Sequence, residues 1–421
     1  MKKQVEGEAV QIKWKGRMDM GKAIKDVEFI VGIPSYMEAD SIAYVTKQVD
    51  KGLEMYFKDL NTLIVNVDNN SPDDTRGVFL STKTKTPKHY ISTPKGVKGK
   101  GNNFLNLFKF GDKFKGALKG AIVVDADLKS ITPEWIKYLG EPILNGYDYA
   151  LPYYSRHQFD GSITNHICFP LLYSVLGQDI RQPIGGDFAF SSSLMSYWLQ
   201  KKWEKTTKQY GVDIFMTTNA IAGGFSICEV GLGAKIHKAS APKLGPMFTQ
   251  VVTTLFDFLC DTKKQWLRKE AGRTEAKKRF GLKELEPPQE LEIDIRGLKE
   301  NLRVEYYKRE KLLKKLLTEY SSTTLGNMFY QDYYDIDTLM WTQNVYQLLY
   351  TYDMGSPRIK KDVVESLKPL YFGRSVTFNY LTWRYNIKYA EEAIKAQARA
   401  FASQKPYLMG LYLNNKSKKK K

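Results

Sequence analysis

Short apolar runs that stop on polar turns and give way to helical periodicity recur along the first third of the chain, and this recurrence is what most limits the fold. VEFIVGIPSYMEAD, from Val27 to Asp40, reads as a strand that breaks at Pro34 and enters a helix near Ala39. An amphipathic helix through Val49 to Phe57 leads to the strand TLIVNVD, Thr62 to Asp68, then to the turn NNSPDDT and another helix. HYISTP is a third strand, followed by KGVKGKGNNFLNLF, and the apolar residues Ala121 to Val124 end a fourth. Strands alternating with helices predict a parallel sheet whose ligands gather beyond the strands' carboxyl ends. One nucleotide-sized site built from these strand ends is the expectation.

The fourth strand delivers Asp125 and Asp127 to its end. Alternation along an extended chain puts both carboxylates on one side, with Ala126 facing away. Hard oxygen ligands of this kind suit Mg²⁺ or Mn²⁺, which hold diphosphates through a few carboxylates and the substrate's own oxygens. The competing reading makes Asp125 and Asp127 turn and cap residues before Thr132-Pro133-Glu134, a good helix start. Pro34, Ser35, Tyr36 and Glu38 after the first strand, and Asp68 after the second, offer polar contacts to a base and ribose. The stretch from Lys95 to Gly101 is a basic loop suited to a diphosphate, with Lys100 as a point charge. It lacks the P-loop spacing, and no GxGxxG fingerprint follows the first strand.

Farther along, Gly185, Gly186 and Asp187 read as a tight turn where backbone must approach a ligand or another strand. Asp213 stands near the first turn of a helix beginning at YGVD, a position often taken by a cap. His237 follows the strand-like GFSICEVGLGAKI, and neutral imidazole is a common partner of carboxylates at a metal. From about residue 250 the periodicity is helical with charged outer faces, interrupted by the Pro-marked linker GLKELEPPQELE. This half either packs on the α/β core or makes a homodimer, and the terminal KSKKKK reads as disordered.

Length fits two domains, or one large domain with an extension. No run approaches the length of apolar chain that spans a bilayer, and the start lacks a signal-peptide stretch, so a cytoplasmic protein without membrane attachment is expected. Cys168, Cys228 and Cys260 have no metal-finger or CxxC spacing and read as buried thiols. The net charge of +18 raises the alternative of a nucleic-acid binder, but five of these charges are tail lysines and no nucleic-acid motif accompanies them. A solvated surface that steers anionic substrates, with no nucleic acid as partner, is the reading preferred.

Taken in order, these motifs resemble nucleotide-sugar glycosyltransferases of the GT-A fold, and more narrowly the retaining enzymes mannosylglycerate synthase, glucosylglycerate synthase and glucosyl-3-phosphoglycerate synthase. The resemblance runs from about Val27 to Pro242 and weakly into RSVTFNYLTWRYNIKYAEEA. It implies an α/β, Rossmann-like GT-A domain over 1–248, with a donor half at about 27–135 and an acceptor half at about 136–248. A helical region over 249–415 and the tail 416–421 follow. By resemblance, Pro34, Ser35, Tyr36, Glu38, Asp68, Lys100, Asp125, Ala126, Gln182, Pro183, Gly185, Gly186 and Asp187 bind the donor. Asp125, Asp127 and His237 form the metal site, and Asp213, Asp127 and Lys100 act in catalysis. Arg156, Asp160, Gly161, Ser162, Ile163 and Thr164 resemble the acceptor loop that holds a glycerate carboxylate.

That loop departs from the phosphoglycerate enzymes, which carry an arginine where this chain has Ser162. A serine cannot replace a guanidinium's charge. The expectation is therefore metal-dependent, retaining transfer of an α-hexosyl group, glucose favoured, from a nucleoside diphosphate sugar to the 2-hydroxyl of D-glycerate, giving a compatible solute. GDP-mannose as donor, or 3-phosphoglycerate as acceptor, are the alternatives.

Overall fold

The computed structural model describes residues 26–238, 244–268, 274–284, 286–288, 290–291 and 294–418. Strands β1 (Phe29–Ser35), β2 (Thr62–Asp68), β3 (Lys88–Ser92), β4 (Gly120–Val123), β5 (Tyr149–Ser155), β6 (Phe188–Ser191), β7 (Ile227–Ala234) and β8 (Arg279–Gly281) form one sheet in the order β8-β7-β5-β6-β4-β1-β2-β3. Neighbours pair in parallel except at β6, which runs antiparallel to both β4 and β5. The purely parallel sheet expected from the strand–helix alternation is thus interrupted by one reversed strand. β8 comes from the half expected to be all helical and extends the sheet at its edge.

Helices α1 (Ile42–Tyr56), α2 (Thr75–Ser81), α3 (Lys100–Gly111), α4 (Pro133–Leu144), α5 (Ser192–Leu199), α6 (Val212–Ala222) and α7 (Leu244–Asp261) surround the sheet. Alternate residues of β1 explain the layering: Phe29, Val31 and Ile33 pack with Val45 and Val49 of α1 and Ile136 and Leu139 of α4. Ile30 turns to the opposite face, where Leu107 and Phe108 of α3 lie. Both faces being covered is why β1 and β2 read as nearly continuous apolar runs. α1 is one continuous helix that takes in both the start read near Ala39 and the amphipathic stretch from Val49, and it starts at Ile42 because Glu38 to Asp40 are held in a turn by the second strand end. There Thr75 Oγ1 accepts from Glu38 N–H at 2.9 Å and Asp73 from Ala39 N–H at 3.2 Å.

The C-terminal half continues with α8 (Ile295–Leu316), α9 (Glu319–Gln331), α10 (Thr338–Met354), α11 (Pro357–Thr382), α12 (Ile387–Ser403) and α13 (Lys405–Lys418). It packs on the core, chiefly against an irregular helical segment over 164–176. Trp341 Nε1 donates to the His166 carbonyl at 3.0 Å, Tyr346 to Ser174 Oγ at 2.9 Å, and Gln397 Nε2 to the Asn165 carbonyl at 2.7 Å. The Gln397 oxygen accepts from the buried Arg374 at 2.8 Å, so one amide joins the two halves. His166 is fully enclosed there, and burial pushes its pKa down to about 3. The three cysteines are buried and free. No helix among the described residues is long and apolar enough to cross a membrane. Of the tail expected to be disordered, Lys416 to Lys418 end α13 and 419–421 lie outside the described residues.

Gln397→Leu removes both links while keeping the volume. The expected result is a loss of about 1–3 kcal/mol in unfolding free energy, seen as a lower denaturant midpoint at unchanged slope. An unchanged midpoint would show that apolar contact alone docks the helical half.

Candidate functional site

Four segments meet beyond the carboxyl ends of β4 and β7: the start of α3, the residues after β4, the turn before β6 and the residues after β7. Lys100, the first residue of α3, places its ammonium 3.0 Å from Asp125 Oδ1 and 3.5 Å from Asp213 Oδ2. Lys235, just past β7 and with a side chain only 3% exposed, reaches Asp125 Oδ2 at 2.9 Å, Asp187 Oδ2 at 2.7 Å and the Gly185 carbonyl at 2.9 Å. Asp187 is 0% exposed and also accepts from the Asp125 N–H at 2.7 Å and from the Tyr154 hydroxyl. Gly186, with φ +96°, makes the arrangement possible: a Cβ there would stand 2.6 Å from Asp125 Oδ2 and 2.9 Å from Lys235 Nζ. The expected close approach at this turn is to the charge cluster itself.

Burial alone would raise the Asp125 carboxyl, but the two ammoniums overcome it and hold it well below the usual carboxylate range. Burial would likewise lower both lysines; the surrounding carboxylates raise them instead. Asp127 differs. Among the described residues no donor bonds its carboxylate, and burial, then the charge of Asp125, push its pKa up. His237 lies near Asp127, and its Nδ1 donates to the Lys238 carbonyl at 2.7 Å, which in the neutral ring leaves Nε2 as the lone-pair nitrogen. These two segments run side by side because Lys129 N–H donates to the Ile236 carbonyl at 2.8 Å and Ile236 N–H to Ser130 Oγ at 2.9 Å.

Both oxygens of Asp125 are therefore taken by lysines, and of the expected metal set Asp127 and His237 are the groups left open. Among the described residues no three carboxylate, imidazole or thiol groups converge on one point. The donor chemistry of the open pair, one hard carboxylate and one oriented imidazole, fits a divalent cation that takes its remaining ligands from a diphosphate.

The other expected residues divide. Glu38 receives Lys238 Nζ at 2.7 Å and Ser41 Oγ at 3.0 Å, closing the segment after β7 onto the first turn. Tyr36 lies beneath Lys98, whose ammonium is 4.5 Å from its ring centroid. Pro34 and Ser35 end β1. Asp68 is occupied internally by Ser35 Oγ at 2.8 Å, Ser71 N–H and Oγ at 2.6 Å, and Tyr90 at 3.0 Å. Ala126 packs its methyl into the core, as alternation required. The Gln182 amide is paired with the Tyr154 backbone at 2.8 and 3.2 Å, and the Pro183 carbonyl accepts from Thr217 Oγ1 at 2.7 Å. Two glycines of the basic loop allow a close approach of protein backbone: a Cβ on Gly99 would lie 2.4 Å from the Lys208 carbonyl oxygen and one on Gly101 2.0 Å from that of Thr207. Protein backbone fills that space, and the contact brings Lys100 to Asp213.

Asp213, in the first turn of α6, is 7% exposed and its Oδ1 has no hydrogen-bond partner. Burial raises its pKa; Lys100 opposes without cancelling, and Asp125 adds to the rise. In the loop expected to hold the acceptor, Arg156 bonds Asp160 Oδ2 at 3.3 Å and the Gly185 carbonyl at 3.5 Å, which ties the loop to the charge cluster. Gly161 and Thr164 face a cavity with Arg156, Ile163 is buried in the core, and the Ser162 hydroxyl bonds that of Tyr371. Lys235 and Tyr154 were not singled out from the sequence. The signal for Lys235 was its place two residues before His237 in an extended segment, which puts both on one side.

No family model and no curated protein matches the chain. Solved structures do, among them those of glucosyl-3-phosphoglycerate synthase from Mycobacterium tuberculosis, an enzyme of the kind the motifs resemble. The complex with Mn²⁺, uridine diphosphate and phosphoglyceric acid is 22% identical with a TM-score of 0.45, covering 58% of this chain and 84% of that one. The complex with Mn²⁺, uridine diphosphate and glucosyl-3-phosphoglycerate gives 22%, 0.46, 58% and 86%. The complex with Mg²⁺ and uridine diphosphate gives 21%, 0.45, 58% and 84%.

Because the folded pKa of Asp213 is raised, its protonated form contributes stability that is full below the ordinary carboxylate range and lost as pH rises through the raised value. Asp213→Asn keeps the shape without the charge. It is expected to melt higher than the unsubstituted protein at pH 7, with the gain vanishing below about pH 4. Melting lower at pH 7 would mean the Lys100 ion pair outweighs the burial cost.

Proposed function

We propose that the chain is a metal-dependent, retaining hexosyltransferase that moves an α-hexosyl group, glucose favoured, from a nucleoside diphosphate sugar to the 2-hydroxyl of a D-glycerate unit. The observation that carries this reading is the open Asp127 carboxylate beside the doubly clamped Asp125 at the end of β4. A half-buried carboxylate without a donor, next to a second one, is a place for a cation.

Asp127 and His237 are the residues that would hold Mg²⁺ or Mn²⁺, and the bound ion would supply positive charge to the departing diphosphate. Lys100 adds a fixed ammonium on the same side, prepared in advance by Asp125 and Asp213. Lys235 holds Asp125 and Asp187 in place, so the backbone turn at Gly186 presents the hexose with a rigid wall. Tyr36 and Glu38 frame the nucleotide end.

The bond between the anomeric carbon and the diphosphate oxygen breaks, its electron pair leaving on that oxygen. The acceptor's 2-oxygen forms the new bond on the same face, and its proton passes to the diphosphate oxygen. Asp213, with Oδ1 free to accept, orients a hydroxyl of the sugar or the acceptor. Arg156 meets the acceptor carboxylate.

The test is product formation from ADP-, GDP- or UDP-glucose and GDP-mannose with D-glycerate, with and without Mg²⁺. Asp127→Ala is expected to keep its fold and lose about 100–1,000-fold in kcat. Full activity in chelator, full activity of Asp127→Ala, or no hexosyl transfer from any of these donors would sink the proposal.

A further inference from the structure

Between α11 and α12 the chain turns a corner, and over residues 380–389 it presents large apolar side chains to the outside. Tyr380, Leu381, Trp383, Tyr385 and Tyr389 are each between 48% and 64% exposed. Apolar residues scattered singly on a surface need no explanation, but five within one short stretch form a patch, and such patches mark interaction sites. The patch is continuous. The ring centroids of Tyr385 and Tyr389 lie 6.3 Å apart, and the Arg384 guanidinium carbon stands 5.3 Å from the Trp383 ring centroid. The Lys299 ammonium of α8 stands 5.5 Å from the ring of Tyr380.

The corner does not need these rings to keep its shape. Tyr385 N–H donates to the Thr382 carbonyl at 2.8 Å and closes the turn. From beneath, the buried Gln158 donates through Nε2 to the Thr382 and Tyr385 carbonyls, each at 3.3 Å. Asn386 caps α12, its Oδ1 accepting from Tyr389 N–H at 3.0 Å. Backbone and buried amide therefore fix the turn, and the side chains are held outward on a rigid base.

Charge identifies what this patch fits. From Ser375 to Ala390 the chain has no acidic residue, while Arg384 and Lys388 are exposed within the corner. The next two acids are already engaged: Glu391 receives Arg181 on both oxygens, at 2.8 and 2.9 Å, and Glu392 pairs with Lys395 at 3.2 Å. Lys299, shared with Asp332 at 3.9 Å, adds to the positive side. An apolar patch with cations matches a surface that is anionic outside and apolar beneath. Trp and Tyr settle at the level of lipid headgroups, Leu reaches the acyl boundary, and Arg and Lys meet anionic headgroups. A nucleic acid would answer the cations and stack on the rings, but it would leave Leu381 without a contact of its own kind. The net charge of +18 adds attraction at longer range.

The sequence argued against membrane attachment from the lack of a spanning segment, and no described helix is long and apolar enough to cross a bilayer. Lying on the surface needs no such segment.

We propose that the corner over 380–389 is a docking surface for a bilayer that contains anionic lipids, with Leu381 and Trp383 entering the headgroup boundary and Arg384 and Lys388 on the headgroups. Ile387 and Lys388 also line the cavity beside Arg156, so a docked molecule holds that cavity at the lipid surface. The inference does not depend on the hexosyltransferase reading.

The full chain is sedimented with vesicles of phosphatidylcholine alone and of phosphatidylcholine mixed with phosphatidylglycerol. Expected is a partition coefficient at least about tenfold higher for the mixed vesicles. Leu381→Ser with Trp383→Ser, and separately Arg384→Gln with Lys388→Gln, are each expected to lower it about tenfold. The replaced side chains are exposed, so the melting temperature stays unchanged in both, and Arg384→Lys with Lys388→Arg keeps the binding. Undiminished binding of the Leu381/Trp383 variant would show that the tail lysines hold the chain by charge alone, and would overturn the inference. Equal partition into both vesicles, or into neither, would do the same. So would a single-stranded oligonucleotide bound in place of vesicles and lost on the same substitutions. A dimer that the Leu381/Trp383 variant converts to monomer, without vesicle binding, would assign the patch to a second copy of the chain instead.

Discussion

Two ammoniums buried among carboxylates at the end of a sheet are the constraint on which the rest of the molecule depends. Taking Lys100, Lys235, Asp125 and Asp187 out of water costs several kcal/mol per ion unless each is paired and bonded in good geometry. That pairing requires the start of α3, the residues after β4, the Gly186 turn and the residues after β7 to arrive together within a few tenths of an ångström. The sheet order does this, because β4 neighbours β6, β6 neighbours β5, and β5 neighbours β7. The reversed β6 is part of the same solution: its antiparallel run lets the Gly186 turn enter from the end where β4 finishes.

The cluster is also unbalanced. Counting Asp127 and Asp213, it contains more carboxylates than ammoniums, and the excess appears as raised affinity for protons at the two least paired groups. An anionic diphosphate would be repelled by such a site if nothing else entered with it. The fold thus holds a charge deficit that a cation, arriving with its own anionic ligand, would fill without any carboxylate having to move away from its lysine. On the proposed function, the affinity for the ion would therefore lie in the ternary complex and not in the protein alone.

The strands and the placing of Asp125 and Asp127 at the end of one of them were legible because each is local. β2 coincides with TLIVNVD residue for residue, and alternation put Ala126 into the core. What was not legible depends on contacts between distant segments. Lys235 takes its role from Asp125 and Asp187, far away in sequence, and a lysine near a strand end carries no local mark of burial. The glycines from Lys95 to Gly101 advertised a close approach but not its partner, which proved to be the Thr207 to Gln209 backbone. Ser162 was weighed as a substitution within a loop, whereas its environment is set by Tyr371, more than two hundred residues on. Local pattern gives element type; the partner that decides chemistry is supplied by the topology.

The helical half does more than stabilise the core: it also lines the cavity beside Arg156. It is pinned to the α/β core through Arg181 and Glu391, Gln158 and the Thr382 to Tyr385 turn, and Gln397 and Asn165. These contacts fix the position of α12 relative to Arg156 without touching Lys100, Asp125 or Lys235. The charge cluster and the start of α12 are therefore built from different stretches of chain, and Arg156, which shares the Gly185 carbonyl with Lys235, links them. Substitutions at groups that share no partners act nearly independently. On the proposed function, it follows that the acceptor end would be free to change its charge and shape through α12, as long as Arg156 is kept, while the ion cluster, which tolerates almost no change, stays as it is.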